Sequence, residues 1–391
     1  MASRISPTRL PAIDSLRGVA ILLVIVTHFG FVALESYTLT GVPALLRRAA
    51  SYGWVGVDLF FVLSGFLITS LLLERRARRD YYRDFYVRRV LRILPAYAAV
   101  LVILIATGLM PVAFVWTSVL FVANFAGPGP TGNAFGVLWS LSVEEQFYLV
   151  WPTVIRKIVD RSVWVVGMIV LLASPIARGI AFQAGLSDHD LYYWTFFHLD
   201  ALGMGILLAA WFRSDRASSL GKRLPLMLGV AALLGGVIGV PYGLLSRSSL
   251  VGASFQFTFI AVVFGAIVGA ALSLQGTKWE RVVDVPILRF YGDISYGLYL
   301  SHVLVLALVL GGIAWLAPAF IAAPTQPGLA FGEVLIAFAA ATAIAYVSRW
   351  HFEARFLALK EKFSPSPRKA HAVSLDAPSA DRRPTDEGVA R

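Results

Sequence analysis

The chain has 391 residues, 58% of them hydrophobic and 15% charged, with a formal net charge of +11 and no cysteine. A soluble domain carries about a quarter charged residues and has no single core for such long apolar runs, so the expected solvent is the bilayer. The lack of cysteine excludes disulfides, thiolate metal sites and a cysteine acyl-thioester. The positive charge is gathered in the gaps between apolar runs, which argues for topology control and against nucleic acid as a partner.

The pattern predicts an all-α polytopic membrane protein of about ten transmembrane helices plus one short re-entrant or peripheral segment. Arg4 and Arg9 precede the first run, about Pro11–Leu34, and no small-residue cleavage site closes it, so it is read as a retained helix rather than a signal peptide. Further runs follow at about Gly53–Leu73, Ile93–Met110, Val137–Ile155, Val163–Phe182 and Leu191–Phe212. The last four are about Leu224–Leu244, Val251–Leu274, Ile287–Ala317 and Phe331–Trp350. Basic gaps at Arg75–Arg92, Arg156–Arg161, Arg213–Arg223 and Lys278–Arg289 are expected to face the cytoplasm. Parity then makes Val112–Phe125 non-spanning, places the Gly/Pro-rich loop Gly127–Gly136 outside and puts both termini inside. The expected domains are a membrane-embedded region over 1–355 and a disordered cytoplasmic tail over 356–391, rich in Pro, Ser, Ala and charge.

Ionisable side chains inside a span are costly, and each one needs a reason. The first run holds Asp14, Arg17 and His28. Eleven residues at about 100° each bring Arg17 and His28 onto one helical face, roughly 16 Å apart. An imidazole suits general-base work at neutral pH, and a guanidinium suits phosphate or developing negative charge. A hydrogen bond between helices and an interfacial Asp14–Arg17 pair explain the same residues structurally, and both readings stay open at this stage. The fourth run carries Glu144 and Glu145, about 100° apart on a helix, within Trp139-Ser140-Leu141-Ser142-Val143-Glu144-Glu145-Gln146-Phe147-Tyr148. Asp58 lies near the start of the second run, His198 and Asp200 in the sixth, and Tyr296, Tyr299 and His302 in the ninth. The Arg75–Arg92 stretch has eight arginines in eighteen residues. Topology and attraction to anionic headgroups account for part of it. Arg89 and Arg92, one turn apart at a membrane entrance, also suit a phosphorylated donor.

Taken together, these segments resemble the acyltransferase-3 family. The resemblance rests on Ile13-Asp14-Ser15-Leu16-Arg17-Gly18-Val19-Ala20 with the Arg17-x10-His28 spacing, and on Val57-Asp58-Leu59-Phe60-Phe61-Val62-Leu63-Ser64-Gly65-Phe66-Leu67. It continues through Arg89-Val90-Leu91-Arg92-Ile93-Leu94-Pro95, the Trp139–Tyr148 segment and Ser295-Tyr296-Gly297-Leu298-Tyr299-Leu300-Ser301-His302, in family order. It implies a multi-pass cell-membrane enzyme that moves an acyl group, acetyl by default, from cytoplasmic acyl-CoA to a carbohydrate hydroxyl on a surface glycan or secreted glycoside. It implies no metal and no cofactor beyond acyl-CoA as co-substrate. It implies that His28 and Arg17 are essential, with Arg89, Arg92 and Glu144 in support, and the expected roles are catalysis at His28 and Glu144 and donor binding at Arg89 and Arg92. Asp14, Arg17, Asp58, Trp139, Ser142, Glu145, Tyr296 and His302 are expected as support or substrate contacts. His198 departs from an expected arginine. Some relatives carry a fused hydrolase-like domain; only a short tail follows the last run here, so that second step is expected to be absent. The rival classes are a proton-coupled transporter, for which the sequence shows no internal repeat, and a non-catalytic membrane scaffold.

Overall fold

The computed structural model of the protein describes residues 10–32, 34, 39–126, 134–214, 223–316 and 327–363. Among the described residues every regular element is a helix. Helix α1 (Pro11–Ile25) continues as a π-helical segment, Val26–Val32, and α2 (Gly41–Ala50) leads through turns into α3 (Val55–Arg75). Next come α4 (Tyr81–Ala106), α5 (Val112–Val119), α6 (Leu138–Lys157), α7 (Asp160–Gln183), α8 (Asp188–Tyr193) and α9 (Leu199–Arg213). The chain goes on with α10 (Leu224–Gly239), α11 (Leu250–Leu274), α12 (Glu280–Val283), α13 (Pro286–Leu316) and α14 (Pro327–Val347). A second π-helical segment, Ser348–Glu353, joins α14 to α15 (Ala354–Phe363).

Eight stretches among the described residues are long and apolar enough to cross a membrane. The expected ten runs include two more, and the structure shows why these fall short. The fourth run is α6, 20 residues long but charged at Glu144, Glu145, Arg156 and Lys157. The sixth run is not one helix. It breaks into α8, a 3₁₀ turn at Thr195–Phe197 and α9. At 15 residues α9 is roughly 22 Å long, less than the hydrocarbon thickness. Every residue from Asp200 to Ala210 is buried, so α9 is the axis around which the other helices pack. By contrast α10, packed on α11, has no buried residue at all. Helix α5, with 8 residues, is far too short to span, in line with the expected non-spanning segment.

Small residues set the closest helix approaches, as expected where lipid offers no hydrophobic drive to associate. A Cβ on Gly18 would lie 1.9 Å from the Leu288 carbonyl oxygen, and one on Gly292 would lie 1.9 Å from that of Asp14, so α1 and α13 cross backbone to backbone. Gly65 and Gly205 do the same for α3 and α9.

Two boundaries differ from the sequence reading. Helix α2 lies in what looked like a loop. The expected tail boundary at 356 falls inside α15, which packs on α4, so ordered structure runs to Phe363. The rest of the tail, most of Gly127–Gly136, and Arg4, Arg9, Arg216 and Lys222 lie outside the described residues.

Candidate active site

A cavity of about 140 Å³ opens between α1, α3, α4, α6 and α13. It is several times the space that one water needs, room for a small acyl group. Arg17, Arg89, Arg92, Glu144, Tyr148 and Ser64 face it. Glu144 accepts a hydrogen bond from Ser64 Oγ at 2.5 Å, and Ser64 Oγ lies 3.1 Å from the Tyr148 hydroxyl. Tyr148 follows Glu144 by one helical turn, and its ring is covered by the Arg89 guanidinium at 4.7 Å. Arg17 donates to Ser295 Oγ at 2.9 Å. The Tyr296 hydroxyl donates to the Ile93 carbonyl at 2.7 Å, tying α13 to α4 just past Arg92.

The arginines of the 75–92 stretch separate into two groups. Arg75 and Arg88 both bind Asp84, Arg76 binds Asp160 and the carbonyls of Ile155 and Ile158, and Arg78 binds Asp80. Arg89 and Arg92 make no ion pair among the described residues, and neither does Arg17. Glu144 on the same wall is within electrostatic range of Arg17 and Arg89, and the buried Glu353 of the second π-helical segment is within range of Arg17 and Arg92. Three guanidinium groups around one small cavity form an anion-binding surface.

His28 is not part of the cavity wall. Arg17 bonds Ser295 on α13, and beyond the change from α- to π-helix at Val26 His28 faces α13 as well. There it meets His302, with Nδ1 of His28 3.3 Å from Nε2 of His302 and the rings edge-on at 4.9 Å. The bonds assign the tautomers. His302 donates from Nδ1 to the Tyr299 carbonyl at 2.7 Å, so its Nε2 is an acceptor. His28 donates from Nδ1, shared between His302 and the Val24 carbonyl at 3.0 Å. The unshared pair of His28 is therefore on Nε2, the form a general base requires. Tyr299, whose ring lies 5.9 Å from His302, lines the cavity and bonds Ser140, so the histidine pair adjoins the cavity wall.

Residues 10–350 match a family profile described as an acyltransferase domain. The chain belongs to the acyltransferase-3 family. Among its relatives are a peptidoglycan O-acetyltransferase OatA of Listeria monocytogenes (27% identity, covering 78% of this chain and 51% of the relative) and the putative peptidoglycan O-acetyltransferase YrhL of Bacillus subtilis (30%; 76% and 49%). A third is the O-acetyltransferase OatA of Staphylococcus aureus (26%; 78% and 52%). The chain thus spans about half the length of the curated relatives it matches. No solved structure matches.

The acyltransferase-3 motifs do not all converge on the cavity. Arg17, Arg89, Arg92, Glu144 and Tyr296 line it. Asp14 lies at the start of α1, outside the wall. Ser142 is fully buried and bonds its own helix at Leu138, while Ser140 takes the cavity position. Glu145 points away from the cavity and has a buried Oε1 without a hydrogen-bond partner among the described residues. Asp58 and Trp139 both meet His198 instead: Asp58 Oδ1 is 3.6 Å from its Nδ1, and the Trp139 ring is 5.2 Å away. The sequence reading missed Arg178, Glu353, and the Ser64 and Tyr148 partners of Glu144. The last two were legible as motif residues, Tyr148 from its one-turn spacing. Nothing in the sequence links Glu353 to Arg92.

Proposed function

We propose that this chain transfers an acyl group, acetyl in the simplest case, from cytoplasmic acyl-CoA to a hydroxyl of a carbohydrate, a cell-surface polysaccharide or a secreted glycoside. The observation that carries the reading is the small cavity with Glu144 on its wall and three arginines, Arg17, Arg89 and Arg92, that make no ion pair among the described residues. Such arginines suit the phosphates of a donor at the membrane entrance, and the cavity fits the acyl end. The peptidoglycan O-acetyltransferase names of relatives support a glycan acceptor and an acetyl group.

In this reading His28 Nε2 removes the acceptor's hydroxyl proton as the oxygen attacks the thioester carbonyl. The new C–O bond forms, the C–S bond breaks, and the coenzyme A thiolate leaves and takes up a proton. His302 fixes the His28 tautomer through its backbone-anchored ring. Glu144, held by Ser64 and Tyr148, balances the arginine charge beside the reacting centre.

The test is release of free thiol and formation of acylated glycan by the purified protein in a bilayer. His28→Gln keeps a hydrogen bond but offers no base near neutral pH, so transfer should fall by about 10²–10⁴-fold with normal membrane insertion. Near-native turnover in inserted His28→Gln would remove His28 from the mechanism. Thiol release that does not depend on a glycan would remove the acceptor class.

A further inference from the structure

A second cluster, outside the arginine cavity, has no part in the reaction above. The loop between α10 and α11 carries Arg247, whose guanidinium carbon sits 4.6 Å from the ring centroids of both Trp54 and Tyr192 and 5.6 Å from that of Phe257. Its one hydrogen bond among the described residues runs from Nε to Gln256 Oε1 at a long 3.4 Å. Gln256 is itself anchored to the Leu245 carbonyl at 3.1 Å. The guanidinium is thus held by ring faces rather than by an acid, and its two terminal nitrogens have no partner among the described residues. Asp58 is the carboxylate in electrostatic range, but it is buried against His198 and makes no ion pair with Arg247. Arg247, Trp54 and Tyr192 are partly exposed, while Phe257 and His198 beneath them are buried. The result is an open, pre-oriented fork on an aromatic floor, the geometry that takes a carboxylate or phosphate through two parallel hydrogen bonds.

The cluster also borders the candidate base. Gly53, directly before Trp54, lies so close to α1 that a Cβ there would come within 2.2 Å of the Leu23 carbonyl oxygen and 2.7 Å of Thr27 Oγ1. Thr27 is the residue before His28. The turn that carries Trp54 therefore packs against the stretch of α1 that leads into His28.

We propose that Arg247 is the anion receptor of the acceptor site, and that the acceptor is an acidic glycan, a sugar bearing a carboxylate or phosphate. This rests on the transfer reading, since it names the class of acceptor for that reaction. The full-length protein in phosphatidylcholine nanodiscs is titrated, without acyl-CoA, with a disaccharide of N-acetylglucosamine and N-acetylmuramic acid, whose lactyl carboxylate is free, and with its methyl ester. The acid should bind about tenfold or more tightly than the ester, as a charged bidentate bond implies. Arg247→Gln should abolish that preference and leave ester binding unchanged, which also reports that the variant is folded. Arg247→Lys keeps charge and ring contact but not the fork, and should fall between the two. Equal affinity of the native protein for acid and ester, or equal weakening of both by Arg247→Gln, would overturn the proposal. Replacing part of the lipid with phosphatidylglycerol separates a glycan anion from a lipid headgroup. Loss of the acid preference there would assign Arg247 to the headgroup and overturn the proposal. Because binding is read without the donor, a retained preference in a protein that releases no thiol would count against acyl transfer and not against Arg247.

Discussion

Two arginine sites in the bundle, Arg178 and the cavity trio, differ in what surrounds the charge. Arg178 on α7 has no exposed surface, and it donates to Asp200, Thr258 and the carbonyls of Phe197 and Ser254. Every face of its guanidinium is occupied, and Asp200 is held in turn by Thr258 at 2.7 Å. Arg17, Arg89 and Arg92 stand around open space with no acid within ion-pair distance among the described residues. A saturated buried ion pair fixes helix positions, and it binds nothing else. An under-bonded set of cations around a cavity stores affinity for an anion still to arrive.

The largest effect should come from breaking the saturated site. Arg178→Leu leaves Asp200 buried without its partner and should cost about 3–5 kcal/mol, seen as loss of monodisperse protein after extraction. Adding Asp200→Leu should restore much of the folded fraction, because the stranded charge is then gone. If Arg178→Leu remained folded and failed only in catalysis, the contrast between the two sites would collapse. The next effect is kinetic. Arg89→Lys or Arg92→Lys keeps the charge but loses the fork, so the KM for acyl-CoA should rise about tenfold while folding and the acceptor KM stay near native. Equal changes in both KM values would make these arginines structural, like Arg178. The smallest effect belongs to the partly exposed pair Arg78–Asp80, bonded at 2.7 Å. The bond from Arg78 holds the Asp80 carboxyl below its ordinary pKa. Its stabilisation is therefore present above the unfolded carboxylate pKa, about 4, and is lost as the pH falls through the lower folded value. Asp80→Asn should change thermal unfolding by no more than about 1 kcal/mol at neutral pH and by nothing at low pH. A larger shift would mean the loop supports more than itself.

The sequence carried the helical architecture because apolar runs and basic gaps are local quantities, and it carried Arg17, Arg89, Arg92 and Glu144 because charge inside a span is conspicuous. It could not sort the eight arginines of the 75–92 stretch. That sorting depends on Asp160, which only the fold brings to Arg76, and on the turn that folds Arg75 back onto Asp84, while the arginines themselves are chemically identical. Leu191–Phe212 read as one span because hydropathy averages over the break at Trp194, where the backbone turns extended before the 3₁₀ turn. The shared face of Arg17 and His28 follows from helical spacing alone, and both side chains meet α13, although the helix turns to π geometry at Val26. Arg178 was passed over as one charge in a long apolar run, although burial makes it the most committed arginine in the chain.

The crossing of α1 over α13 at Gly18 and Gly292 works as a pivot. His28 lies ten residues beyond Gly18, and His302 lies ten beyond Gly292. The two imidazoles sit at the tips of arms of equal length, each roughly 15 Å. Opening the scissors by about 5° would part the tips by roughly 1.3 Å on that arm length, enough to sever the 3.3 Å bond between the rings. Near the pivot, the Arg17–Ser295 bond would scarcely notice. The alignment of the base thus depends on how closely α1 and α13 approach, which the missing side chains at Gly18 and Gly292 set.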